Sequence, residues 1–258
     1  MSAAIRPEVL TEAVGNVLVV TLNREHVRNA VNTAMAEGVA GALDELDRRR
    51  DLVAGVLTGA GSTFCSGMDL KAFLAGERPG VPGRGFAGIV ERGSDKPLIA
   101  AVEGHAIAGG FEIVLACDLV VASETAAFGL PEVKRGLVAA AGGLFRLPQR
   151  VPYQLAMEMA LTGEFVPAER ARELGLVNRL VPAGEAASAA LELAAAIARN
   201  GPLAVAATKR IITLSRDWSA EESFDRQRPM AEDVRSSEDA REGARAFTEK
   251  RPPRWSGK

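Results

Sequence analysis

Apolar positions along this chain change their period repeatedly, and each change marks an element. VLTEAV and NVLVVTLN carry strand-type residues on either side of Gly15-Asn16, a turn pair, and predict a β-hairpin. After the polar connection NREHVRNAVN, Met35, Val39, Leu43 and Leu46 recur at helical spacing. They predict an amphipathic helix capped by Asn32 or Thr33, with Arg48-Arg49-Arg50 as a solvated C-terminal end where the helix dipole favours cations. LVAGVLTG reads as a buried strand feeding a glycine-rich turn and a helix start, GAGSTFCSGMDLKAFLAG. GERPGVPGRG, rich in Gly and Pro, predicts a mobile loop.

The central stretch, Pro97 to Glu132, opens as a strand-like apolar run to Val102 and turns at Gly104. It breaks at Gly109-Gly110 into a helix-like apolar run that holds a single carboxylate, Glu112. A second strand follows from Leu119 to Ala122, and the next loop ends on Pro131-Glu132. PAERARELGLVNRLVP then predicts a short helix, a turn at Gly175 and a strand. From Pro182 the pattern is helical, with breaks expected at Gly201-Pro202 and near Arg228-Pro229. Alternating strands and helices followed by a helical tail predict an α/β fold with a helical C-terminal region.

Composition narrows the function classes. At 258 residues, 47% hydrophobic and 25% charged, the chain has room for one large α/β domain or two small ones and for a substantial core. A net charge of −2 provides no basic field for nucleic acid or an anionic membrane surface. Cys65 and Cys117 make no disulfide framework and lack metal-ligand spacing, which suits a reduced, intracellular setting. MSAAIRPEVLTEA has neither a cationic n-region nor an apolar h-region, so the reading is cytoplasmic.

The candidate chemistry lies in the glycine-rich turns and the two glutamates. A strand, a glycine turn and a helix start gather free N–H groups suited to bound oxygen or phosphate. Gly59-Ala60-Gly61-Ser62-Thr63-Phe64 lacks the third glycine of a dinucleotide fingerprint, however, and no P-loop lysine follows. The nucleophile elbow of serine hydrolases is absent, since Ser66 lies in F-C-S-G-M. Cys65 reads as a buried structural thiol. Glu112, among Phe111, Ile113 and Val114, is either a buried carboxylate satisfied by backbone donors or one held for a task. Glu132 after Pro131 is either a solvated turn residue or the second member of a pair.

Several motifs resemble the crotonase superfamily, the enoyl-CoA hydratases and isomerases. TLNREHVRNAV is similar to its first coenzyme A-contacting segment, TFCSGMDLKAF to its first oxyanion segment, and IAAVEGHAIAGGFEIVLACDLVVAS to its second. AFGLPEVKRGLV with AGGLFRLP resembles the segment carrying its second glutamate, and TGEFVPAERARELGLVNRLVP and EGARAFTEKRPPRW resemble later stretches. The resemblance implies a spiral of repeated ββα units over residues 1–196, a helical oligomerisation region over 197–258, and a homotrimer or homohexamer. It places the oxyanion-hole N–H groups on Met68 and Gly109 and the catalytic carboxylates on Glu112 and Glu132. Contacts to an acyl-CoA substrate fall on Val27, Arg28, Ser66, Met68, Asp69, Leu70, Lys71 and Gly109, with Phe247 and Lys250 completing a neighbour's site.

Both glutamates together favour a hydratase of fatty-acid β-oxidation, with no metal or cofactor beyond the coenzyme A of the thioester. A dehydratase of a branched, bulky or carnitine-like acyl-CoA, a double-bond isomerase and a nucleic-acid-binding homologue are the alternatives. The sequence departs from the hydratases where GLVAAAGG stands in place of a proline-containing loop and at His26-Val27-Arg28.

Overall fold

The structure is a computed structural model that describes residues 7–258. The hairpin forms as expected: β1 (Val9–Val14) pairs antiparallel with β2 (Val17–Leu22) across Gly15-Asn16. Helix α1 (Thr33–Arg48) follows, with the Asn32 side chain accepting from the Met35 N–H, and it buries Met35, Val39, Leu43 and Leu46. Strand β3 (Ala54–Gly59) and the five-residue helix α2 (Leu70–Leu74) come next. The Gly/Pro-rich segment is a small hairpin, β4 (Gly80–Val81) and β5 (Gly85–Phe86), rather than an unstructured loop. Arg84 holds it: its buried guanidinium donates to the carbonyls of Arg92 and Gly93 and pairs with Asp44.

Strands β6 (Leu98–Val102) and β7 (His105–Ile107) lead into α3 (Gly109–Ala116). Strands β8 (Leu119–Ser123) and β9 (Ala127–Gly129) then run into a 3-10 turn at Pro131–Arg135, followed by α4 (Gly143–Arg146) and α5 (Tyr153–Thr162). Strand β10 (Val166–Pro167), α6 (Ala168–Glu173), β11 (Arg179–Val181) and α7 (Ala186–Ala198) close the core. Helices α8 (Pro202–Leu214), α9 (Ser223–Arg235) and α10 (Glu238–Thr248) form the tail. No helix among the described residues is long and apolar enough to cross a membrane.

The main sheet has the order β1-β2-β3-β6-β8-β11 and is parallel beyond the first hairpin. A second sheet, β10-β9-β7, runs beside it, and the Cys65–Ala106 bridge extends it towards the first oxyanion segment. The unit β6-β7-α3 adds one strand to each sheet and then a helix, and β8-β9 repeats the two-strand step, whereas both strands of the opening hairpin lie in the main sheet. Alternation in the main sheet sorts its side chains. Leu18, Leu57, Leu98, Ala100 and Val120 enter the larger core, while Val17, Val56, Ile99, Ala101 and Val121 pack under Ala186, Ala190 and Ala194 of α7. The small alanines let α7 lie close across that face.

The division expected at 196/197 falls in the last turn of α7. The break expected near Arg228-Pro229 does not occur, because α9 runs through Pro229. No residue of α9 is buried, so the carbonyl that loses its amide partner can be hydrated.

Candidate active site

Two backbone turns meet at the head of α3. Gly67, at φ +92°, carries the chain into Met68; Val31 donates to the Gly67 carbonyl and accepts from Asp69 N–H, leaving the Met68 N–H between them. Opposite, Ala108 sits at φ 53°, ψ −131°, a conformation that favours glycine and costs a residue with a Cβ about 1–3 kcal/mol. Its N–H donates to Gly129, and its carbonyl accepts from Phe111 and Glu112, so the surrounding bonds enforce the strain. The result is a fixed orientation of the 108–109 peptide. A Cβ on Gly67 would lie 2.9 Å from the Ala108 Cβ and 3.0 Å from the Gly109 nitrogen, so the two turns pass in near contact. Among the described residues, neither the Met68 N–H nor the Gly109 N–H has an acceptor, and both residues line the same cavity. An oxygen placed there can accept from both, with the N-terminal dipole of α3 behind one of them.

The carboxylates come from two elements. Glu112, one turn into α3, is 3% exposed, and its Oε1 accepts from Ala141 N–H at 2.7 Å and Gly143 N–H at 2.9 Å. Burial raises its pKa, against the lowering effect of those two donors and of the Arg146 charge. Glu132 stands in the 3-10 turn behind the buried Pro131. Its pKa is pushed up to about 6, first by burial and then by the Glu112 charge. Its Oε2 is buried and has no hydrogen-bond partner. For Glu112, backbone donors satisfy one oxygen, and the residue also lines the cavity. Glu132 is no solvated turn residue.

The cavity, ≈ 750 Å³, brings together Ser66, Met68, Leu70, Gly109, Glu112 and Glu132 from the sequence reading. It adds residues the reading missed, chiefly Phe86, Val90, Arg135, Phe145 and Arg146. Phe86 packs on Gly109, where a Cβ would come 2.6 Å from its ring. No local periodicity marks these side chains, because they converge from separate elements: Phe86 from β5, Arg135 from the 3-10 turn, Phe145 and Arg146 from α4.

Val27 and Arg28 lie at the cavity's flank, where Ser66 N–H donates to the Arg28 carbonyl at 3.1 Å. Asn29 fixes that turn by donating to the Ala60 and Thr63 carbonyls. Asp69 is committed elsewhere: it caps α2 and pairs with Arg24 at 3.0 Å. Exposed Lys71 stands in α2, while Phe247 and Lys250 sit at the end of α10, outside the lining of the cavity.

A spiral of ββα turns with two free N–H groups, one buried carboxylate and one half-buried carboxylate on one cavity has the form of a crotonase-type site. Residues 12–258 match the family model described as enoyl-CoA hydratase/isomerase, and the chain belongs to that family. It is 43% identical to the enoyl-CoA hydratase EchA19 of Mycobacterium tuberculosis, over 98% of this chain and 97% of that protein. It is 40% identical to the carnitinyl-CoA dehydratase of Proteus mirabilis, over 95% and 96% of the two chains. A crystal structure of an enoyl-CoA hydratase from Mycobacterium tuberculosis superposes with a TM-score of 0.97 at 57% identity, covering 98% of this chain and all of that one.

Proposed function

We propose that this enzyme is an enoyl-CoA hydratase that adds water across the double bond of a trans-2-enoyl-CoA to give a 3-hydroxyacyl-CoA. The observation that carries the reading is the meeting of buried Glu112 and half-buried Glu132 with two unpaired N–H groups on one cavity. The Met68 and Gly109 N–H groups receive the negative charge that reaches the thioester oxygen as water attacks Cβ. Glu112, its Oε1 already held, takes a proton from the water through Oε2. Glu132, its pKa lifted to about 6, gives a proton to Cα. One proton leaves the water and one enters the product. Transfer between the two carboxylates restores the resting state.

Coenzyme A enters as part of the substrate, and the chemistry invokes no separate cofactor or metal. Ser66, Val27, Arg28, Leu70 and Lys71 contact it from the same chain. Phe247, 85% exposed, and Lys250 complete the site of a neighbour in a cytoplasmic homotrimer or homohexamer built on residues 197–258.

The similarity to carnitinyl-CoA dehydratases supports a second reading, the reverse reaction on a specialised acyl group. A panel of 2-enoyl-CoA thioesters, from four-carbon to bulky and trimethylammonium-bearing acyl groups, tests both. Hydration of unbranched members first is the expected result. Binding without hydration of any member, or faster consumption of 3-enoyl-CoA, overturns the hydratase reading.

A further inference from the structure

The turn Ala141-Gly142-Gly143 holds Glu112 from above, and something must hold the turn. Arg146, on the last residue of α4, folds back over it: Nη1 donates to the Ala141 carbonyl at 3.4 Å, and Nη2 donates to the Val90 carbonyl on the opposite wall of the cavity. Its guanidinium also lies 5.0 Å from the Phe145 ring centroid. Gly142, at φ +99°, leaves room for this fold, since a Cβ there would stand 2.1 Å from Nη1. The N–H groups on either side of Gly142, from Ala141 and Gly143, are the two that converge on Glu112 Oε1.

We propose that Arg146 is a positioning residue for the hydration: it straps the 141–143 turn to the Val90 wall and so aims both N–H groups at Glu112. The proposal rests on the hydratase reading of the cavity. The groups facing Glu112 sort by sign. Burial opposes its ionisation, Arg146 is the cation that favours it, and the Glu112 charge in turn raises the pKa of Glu132 in the 3-10 turn. Arg135 acts on Glu132, and Glu91 lines the far wall. Around Arg146, burial first and then the Arg150 and Arg216 charges oppose its own, while the Glu112 charge favours it.

Three variants separate position from charge. Arg146→Gln should lower kcat ~10- to 100-fold, as a misplaced catalytic group does, with KM within a few-fold of wild type. The acid limb of its kcat–pH profile should move to higher pH, because the carboxylate loses its cation. Arg146→Lys should keep the limb where wild type has it and recover part of kcat. Gly142→Ala, which pushes the guanidinium aside, should resemble Arg146→Gln in both readings. Thermal melting of each variant gives the control. If kcat losses merely follow the fraction folded, or if the acid limb of Arg146→Gln stays at the wild-type pH, Arg146 is structural and the proposal is overturned. Wild-type enzyme inactive on every enoyl-CoA defeats the hydratase reading instead.

Discussion

Glu112 and Glu132 share a cavity but not an environment, and their chemistry divides accordingly. Glu112 keeps two backbone donors on one oxygen, whereas Glu132 has a buried oxygen with no partner. Glu112→Gln and Glu132→Gln should each lose ~10²–10⁴ of hydration rate, with acyl-CoA binding retained. The double variant should lose far less than the product of the two, since the pair acts as a unit. Near-normal kcat in either single variant rules out the shared-water mechanism. Glu132 also makes a stability prediction. Its pKa is raised from 4.5 to about 6 in the fold, so its contribution to stability is present below 4.5 and is lost as pH rises through about 6. Glu132→Gln should therefore melt above wild type at pH 7–8, with the difference shrinking as pH falls towards 4.5. A Tm difference that does not change with pH would contradict the burial of that carboxylate.

At the scale of elements, the head of α3 carries the site. An eight-residue helix supplies one N–H donor, one carboxylate and a dipole, and the strained Ala108 sets its entry. Gly109→Pro removes that donor and should lower kcat by at least ~10². Met68→Ala keeps its N–H and should cost under ~10-fold. Equal losses in steady-state kinetics would place the oxyanion site elsewhere. Gly67→Ala probes the near contact of the two turns: it forces a Cβ against Ala108 and a side chain into φ +92°, and should lower both kcat and Tm. A variant with wild-type kcat would show that the spacing of the turns is not critical. Arg150 serves the other end of α3, donating to the Leu115 and Cys117 carbonyls at 3.3 and 3.0 Å, where a cation suits the dipole.

For the whole molecule, the question is what the tail does. Helix α10 ends on exposed Phe247 and on Lys250 at φ 53°, and the C-terminal strand of chain is tied back by Trp255 to the Arg199 carbonyl and by Ser256 and Gly257 to buried Asp239. These bonds tie the C-terminal segment to α10 and to the end of α7, and Phe247 stays exposed. Removing residues 240–258 should weaken acyl-CoA binding and assembly together, read by calorimetry and sedimentation. A truncated monomer with unchanged affinity would show that each chain holds its coenzyme A alone.

The sequence determined the local elements and the identity of the pair. Continuous apolar runs placed β3, β6 and β8, helical spacing placed α1, and Gly201-Pro202 placed the start of α8, because each depends on neighbours a few residues away. The motifs resembling the crotonases marked Met68, Gly109, Glu112 and Glu132 in a chain that shows no charge or metal signature of its own. The tertiary structure decided how those residues are held. The donors to Glu112 lie 29 and 31 residues downstream on a loop, Arg146 reaches across 56 residues to Val90, and Phe86 packs on Gly109 from a hairpin that composition read as a loop. Such contacts have no period. They exist only once the spiral has stacked one turn on the next, and burial by that stacking is what lifts Glu132 towards neutrality.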